Sequence, residues 1–146
     1  MVDYGNDFYE RLGAVIALLA GSSYHSRFEL RGYLRDEIAP AFRRGTIRFF
    51  HRDGDVIGFV TWSTVSETTI LELAKGDRPI REAEWQSGQH VLINDLVVTE
   101  PHGRDVISEL KSGMFADHIV HAFRRHANGS IKRRCRFIGD RRRSMN

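Results

Sequence analysis

The sequence predicts a mixed α/β fold, a single sheet flanked by helices. Three observations lead there: two amphipathic helical segments at the start, an Asp-Gly hairpin signal, and a Val/Ile-rich strand broken before another helical stretch. From Asp7 to Leu19, apolar Phe8, Leu12, Val15, Ile16 and Leu19 recur at helical spacing, and Gly21-Ser22-Ser23 closes that helix. Leu30 to Phe42 reads as a second helix, with Leu30, Tyr33, Leu34, Ile38 and Phe42 on one side and Pro40 near its end. Ile47–Phe50 and Val56–Ser63 are strand-like runs around Arg52-Asp53-Gly54-Asp55. Ser66–Lys75 is a short helix that closes at Gly76, before a turn at Pro79. His90–Val98 is the strongest strand. Pro101-His102-Gly103 ends it, and Asp105 is placed to cap a helix running to about Arg125. Asn128-Gly129 makes a turn into a last strand, Ile131–Ile138, whose Ile131, Cys135 and Phe137 alternate with Lys132, Arg134 and Arg136. The expected order is α-α-β-β-α-β-α-β.

At 146 residues, with 41% apolar and 28% charged side chains, the chain is one globular domain, 1–146, rather than a disordered segment. No repeat, low-complexity tract or Pro/Gly/Ser linker divides it. The apolar run Ala14–Ala20 is too short to cross a bilayer and lacks the flanks of a signal peptide. Cys135, the single cysteine, has no internal partner for a disulfide. Together these lead to the expectation of a cytoplasmic protein with no membrane span.

The net charge of +3 is unevenly spread. Residues 131–146 carry seven Lys/Arg and one acid; taken from totals of 22 and 19, this leaves 15 basic and 18 acidic residues in 1–130. The positive charge therefore belongs to the last strand and to a basic tail from about 140 to 146. Such a patch suits an acidic partner: nucleic acid, an anionic membrane, a phosphopantetheine or an acidic carrier protein. The other reading is a solvated, frayed tail.

Ser22-Ser23-Tyr24-His25-Ser26-Arg27 forms a polar cluster between two amphipathic helices, a natural place to present a reactive group. An imidazole titrates near neutrality, so His25 can take a proton from an amine or carry an acyl group. Ser22, three residues earlier, is placed to hydrogen-bond the ring or cap the turn. Asp95 puts a charge into the otherwise apolar His90–Val98 run and needs a histidine, an arginine or solvent at its tip. A carboxylate orienting a reactive imidazole answers that need; a carboxylate capping nearby backbone groups answers it equally well. His118 and His121 stand three apart on the expected helix, with His126 beyond. No HExxH pattern, cysteine pair or placed acid accompanies them, so no metal site is expected. The Thr99–Asp105 segment, with one glycine and two acids, is a poor cradle for a pyrophosphate, which argues against a conventional CoA site.

Taken together, these segments resemble those of the toxin-activating lysine acyltransferases, the family that matures haemolysins and related RTX toxins. Ser22-Ser23-Tyr24-His25-Ser26-Arg27 is similar to that family's serine–proline–x–histidine–arginine segment, and Trp62-Ser63 to its strand-borne tryptophan. Trp85-Gln86-Ser87-Gly88, Ile93-Asn94-Asp95-Leu96-Val97 and Pro101-His102-Gly103 are similar to its tryptophan–x–serine–glycine, aspartate-strand and proline–phenylalanine–glycine elements. The likeness runs from about Leu12 to Gly139. It departs where the proline before the histidine is absent, where Ser26 separates His25 from Arg27, and where His102 replaces phenylalanine.

The resemblance implies a fold related to the N-acetyltransferases, a homodimer, and acyl-carrier protein rather than CoA as acyl donor, with no bound cofactor. It implies His25 as the catalytic residue, Asp95 as its partner, Ser22 close to His25, and an arginine of the last strand, Arg136, near the site. The expectation is thus a protein-lysine acyltransferase that moves a fatty acyl group to an internal lysine of an RTX-type protoxin. Arg136, Arg134 and Lys132 would meet the phosphopantetheine or the acidic face of the carrier. Three other readings stay open: a CoA-dependent N-acetyltransferase of a small amine or peptide, a non-enzymatic basic module binding nucleic acid, and a degenerate relative that only binds the toxin.

Overall fold

The first amphipathic segment folds as helix α1, Phe8–Ala20, with Val15 and Leu18 turned into the core and Tyr9 outward. A computed structural model describes residues 7–76, 78–126 and 130–145 of the chain. The second segment is one run of helix in three registers: α2 (Leu30–Tyr33), a π-helical turn (Leu34–Ile38) and α3 (Ala39–Arg44). Pro40 explains the change of register. It has no N–H to give to the preceding turn, and the wider turn, in which Ala39 N–H reaches back to Leu34 O, carries the chain past it. Gly45, at φ +68°, ends the run with its N–H on the Ala41 and Phe42 carbonyls.

Strands β1 (Ile47–Arg52) and β2 (Asp55–Val65) form the expected hairpin. Asp53 and Gly54 both have positive φ, 52° and 82°, as a tight two-residue turn between twisted strands requires. Helix α4 (Glu67–Leu73) starts at Ser66, whose hydroxyl accepts from Thr69 N–H. Strand β3 (His90–Val98) and helix α5 (Gly103–Ser112) follow.

Here the structure corrects the sequence expectation. The helix expected to reach about Arg125 ends at Ser112, and Ile119–Arg125 is a strand, β4. Gly113 stops the helix with a backbone no helix contains, φ −115° and ψ −105°. Beyond it, Val120 and Ala122 alternate with His121 and Phe123, a period of two. His118 and His121 therefore do not share a helix face. The capping position is also earlier than Asp105, at His102. The Asn128-Gly129 turn lies outside the described residues. Strand β5 (Ile131–Ile138) has the expected limits, and Asp140–Ser144 within the basic tail forms a short helix, α6, pinned by an Arg141–Asp117 ion pair and by Arg142 N–H on Ala116 O.

The result is a mixed α/β fold around one five-stranded sheet, ordered β1-β2-β3-β4-β5. All neighbours are antiparallel except β3 and β4. Helix α5 covers one face, where Val106 and Leu110 pack on Phe50, Val60, Val91, Ile93 and Val120. Helices α1 to α3 cover the other, where Val15, Tyr33 and Ile38 meet Phe59 and Val97, and α4 extends that layer over Val65 and Leu92. Among the described residues no helix is long and apolar enough to cross a membrane.

Candidate active site

The site is built by an irregularity in β3. Thr61 pairs with Asp95 and Trp62 with Ile93, so Asn94 is an extra residue in the ladder. A bulge of this kind reverses the alternation of side chains beyond it. Ile93 packs under α5, and without the bulge Asp95 would follow it there. With the bulge, Leu96 takes the α5 side, and Asp95 joins Val97 on the face covered by α1 to α3. A charge that regular pairing would drive into an apolar core is thereby delivered to polar partners.

Those partners come from the link between α1 and α2. After Ala20 the chain makes a single 3-10 turn, Tyr24–Arg27, which places His25 over β3. His25 Nε2 lies 2.7 Å from Asp95 Oδ2, and Ser22 Oγ lies 2.6 Å from His25 Nδ1. Tyr33, at the end of α2, donates its hydroxyl to the same Asp95 oxygen. The rings of Tyr24, Phe28 and Tyr33 meet the imidazole edge to face, at centroid distances of 5.0, 5.0 and 5.6 Å.

For a neutral imidazole beside an ionised carboxylate, this geometry assigns the protons. An ionised carboxylate can only accept, so Nε2 carries the hydrogen and donates to Asp95. Nδ1 then holds a lone pair, which accepts from the Ser22 hydroxyl. The imidazole side chain is 6% exposed and the carboxylate 14%, so the pair is largely removed from water and its mutual attraction is little screened. Tyr33 remains a neutral donor, because burial, the Asp95 charge and its hydrogen bond to Asp95 all raise its pKa above the usual phenol range.

Tyr33 belongs to the site although in the sequence it reads only as one position of an apolar helix face; a buried phenol needs a partner for its hydroxyl, and that requirement is the available signal. One helical turn further on is Glu37. Its carboxyl is pushed up to about 7, first by burial, then by the charges of Asp95 and Asp36, against the pull of Arg125. The consequence for stability has a definite sign. Unfolded, this carboxyl ionises near its ordinary value, so the favourable burial is present at low pH and lost as pH rises from about 4.5 through 7. Glu37→Gln is expected to stabilise the protein by about 1–3 kcal/mol at pH 8 and by little at pH 4.5, read from thermal melts at the two values.

The structure brings Ser22, His25 and Asp95 together. Arg134 and Arg136 stand apart, exposed on β5, in register with Phe123 and His121 of β4. They share the sheet face of Asp95 but lie two strands away, and the hydrogen bonds of His25 and Asp95 go to Ser22, Tyr33 and each other. His121 is buried beside His90, its Nε2 3.3 Å from His90 Nδ1. Its pKa is depressed to about 4 by burial, by His90 and by the two arginines, so it is neutral at pH 7. Among the described residues no three His, Cys, Asp or Glu are grouped as a metal site.

The tryptophan–x–serine–glycine segment is architectural. Trp85 is buried with Arg44 stacked on it, and Ser87 Oγ accepts from Ser66 N–H while donating to Glu84 O. Gly88 packs so tightly on the β2–α4 corner that a Cβ there would lie 2.5 Å from the Val65 carbonyl and Ser66 nitrogen. Gly88→Ala should therefore cost about 2 kcal/mol or more, seen as a Tm about 5 °C lower.

Residues 5–137 match the family described as HlyC, the RTX toxin acyltransferase family. A lysine-acyltransferase RtxC of Vibrio cholerae serotype O1 is 32% identical over 107 residues, 73% of this chain and 69% of the relative. An uncharacterized protein of Synechocystis sp., sll0720, is 21% identical over 120 residues, 81% of each chain. The chain is an acyltransferase and belongs to the RTX toxin acyltransferase family.

Proposed function

We propose that this acyltransferase moves a fatty acyl group from acyl-carrier protein to a lysine ε-amine of an RTX-type toxin, with His25 as base and Asp95 as the carboxylate that orients and charges it. The observation that carries the reading is the hydrogen-bonded run Ser22–His25–Asp95–Tyr33, set into the layer beside the sheet. An ammonium cannot attack a thioester, so the lysine enters as the neutral amine, its first proton released to solvent, and it must surrender a second as its nitrogen bonds to the carbonyl carbon. The lone pair on Nδ1 receives it, relayed by the Ser22 hydroxyl, and the imidazolium formed is stabilised by Asp95 through Nε2–H. The carbon–sulfur bond then breaks, and the departing thiolate recovers the proton from Nδ1. Amide and free thiol result, and the enzyme returns to its starting state. Tyr33 is a positioning residue, holding the Asp95 oxygen that Nε2 uses.

The lysine acceptor is supported by the relative named a lysine-acyltransferase. The carrier donor is supported by charge: Lys132, Arg134 and Arg136 line the exposed edge strand, and Arg124 stands directly opposite Arg133. Like charges placed opposite each other weaken a sheet unless something acidic offsets them. A carrier-protein donor also makes the enzyme cytoplasmic, and the family resemblance extends the reading to a homodimer.

The test is to incubate the chain with a fatty acyl-carrier protein and an RTX-type toxin and to weigh the toxin's peptides. A lysine heavier by the acyl group, absent when acetyl-CoA replaces the carrier, is the expected result. Acetyl transfer from CoA with none from the carrier would overturn the donor assignment.

A further inference from the structure

The imidazole of His25 is walled by three rings that differ in how far they reach the surface. Tyr33 is buried and closes the site inward, Tyr24 is half-buried, and Phe28 is 39% exposed. Phe28 is nevertheless packed in place. Its ring meets those of Tyr24, His25 and Tyr33 at centroid distances of 5.2, 5.0 and 5.5 Å. Phe28 and Glu29 both have extended backbone, with ψ of 135° and 118°, and carry the chain from the 3-10 turn into α2, where Leu30 is 51% exposed.

Exposed apolar residues scattered singly, such as Leu71 of α4 and Met145 near the end of the tail, need no explanation. Phe28 and Leu30 differ, because they stand two residues apart and Phe28 lies against the reactive imidazole itself. A ring already held by three others has little rotamer freedom left to lose, so covering its free face costs little ordering. The polar capacity of the site is taken elsewhere. Asp95 and Tyr33 occupy the Nε2 side of the imidazole, and the Ser22 hydroxyl meets Nδ1. What the side chains of Phe28 and Leu30 offer a ligand is apolar contact without a hydrogen-bonding group, and the matching chemistry is hydrocarbon.

The reaction names that hydrocarbon. While the amine attacks, the acyl carbon lies by Nδ1 and Ser22, with the sulfur on one side and the alkyl chain on the other. The first methylenes therefore start beside Phe28, and a path inward from there ends on buried Tyr33. The path outward runs over the free face of Phe28 toward Leu30. We propose that the fatty acyl chain lies across Phe28 and Leu30, and that these two residues set the enzyme's chain-length preference. The proposal rests on the fatty acyl reading above and adds the surface on which the chain is measured.

The test measures transfer to the toxin from acyl-carrier protein loaded with butanoyl or octanoyl groups. A methylene laid against one face gains about half of full burial, or about twofold, so the wild-type chain should favour octanoyl by about 16-fold in kcat/KM. Phe28→Ser should cut that preference by about fourfold and Leu30→Ser by about twofold. A merely structural loss would slow transfer from both donors alike and leave the ratio where it was. Leu30→Ser alters no ring of the site, so the outcome does not depend on how Phe28→Ser folds. A wild-type ratio near one, or a ratio unchanged in both variants at wild-type Tm, would overturn the proposal. A raised KM for the toxin at an unchanged ratio would also overturn it, giving the surface to the acceptor instead. A second measurement needs no donor: N-octylacetamide should shift the NMR resonances of the Leu30 methyls and the Phe28 ring, and N-ethylacetamide at the same concentration should not. Those shifts support the surface even if no carrier supports transfer, and their absence beside normal wild-type transfer sinks the surface alone.

Discussion

His25→Ala is expected to lower acyl transfer by at least about 10³-fold, within the range a positioned base contributes. The argument lies in the proton inventory: Nδ1 holds the lone pair beside the Ser22 hydroxyl, and Nε2–H is committed to Asp95. Removing the ring takes away the group that accepts the amine's proton. It also leaves the 14%-exposed Asp95 carboxylate with the Tyr33 hydroxyl and no cation forming beside it. Some stability should go with it, about 1–3 kcal/mol for a buried acceptor that loses a partner, so a thermal melt must accompany the assay. Added imidazole distinguishes the roles: partial recovery of rate in the alanine variant marks a base, whereas a purely structural histidine gives none. Transfer within tenfold of wild type in a folded His25→Ala protein would refute the assignment of His25.

The hairpin, α1, α4, β3 and β5 were legible because each carries a local signal: apolar spacing, an Asp-Gly turn, a closing glycine, a Val/Ile run or an apolar–basic alternation. Strand β4 was not. Its residues follow a helical segment without a proline between them, and the stop is a single Gly113 in an unusual backbone, which the sequence does not distinguish from a tolerated helix glycine. The π-turn was likewise hidden, although Pro40 was its cause.

For the site, the sequence supplied the residue types, and the resemblance supplied their pairing. A charge within an apolar strand marks Asp95 as needing a partner, but periodicity alone puts it on the wrong face, beside Ile93. The extra residue Asn94, which turns it toward His25, is a matter of register between β2 and β3, set by the whole sheet. Glu37 was invisible for a related reason. Its environment comes from Asp95, Asp36 and Arg125, two of which are distant in the chain.

Asp95→Asn should separate charge from geometry. Both Tyr33 and His25 Nε2 bond to one oxygen of the carboxylate, Oδ2. An asparagine with its carbonyl oxygen in that place keeps both bonds and the same imidazole tautomer; what it lacks is the negative charge that stabilises the imidazolium. Transfer should then fall by about 10²-fold, the scale on which one electrostatic group acts in a water-excluded site. Asp95→Ala, which loses the geometry as well, should fall further. Stability should move the other way. The Asp95 charge is one of the causes that hold the Glu37 carboxyl at about 7, so its removal lets that carboxyl ionise at lower pH with less cost. The asparagine variant should therefore melt higher than wild type at pH 8, with the gain shrinking toward pH 4.5, while it transfers acyl groups more slowly. A variant that melts lower at every pH would show that the carboxylate is held by attractions outweighing its repulsion of Glu37. The combination of slower transfer and higher Tm is instead the mark of a charge kept for chemistry at the expense of the fold.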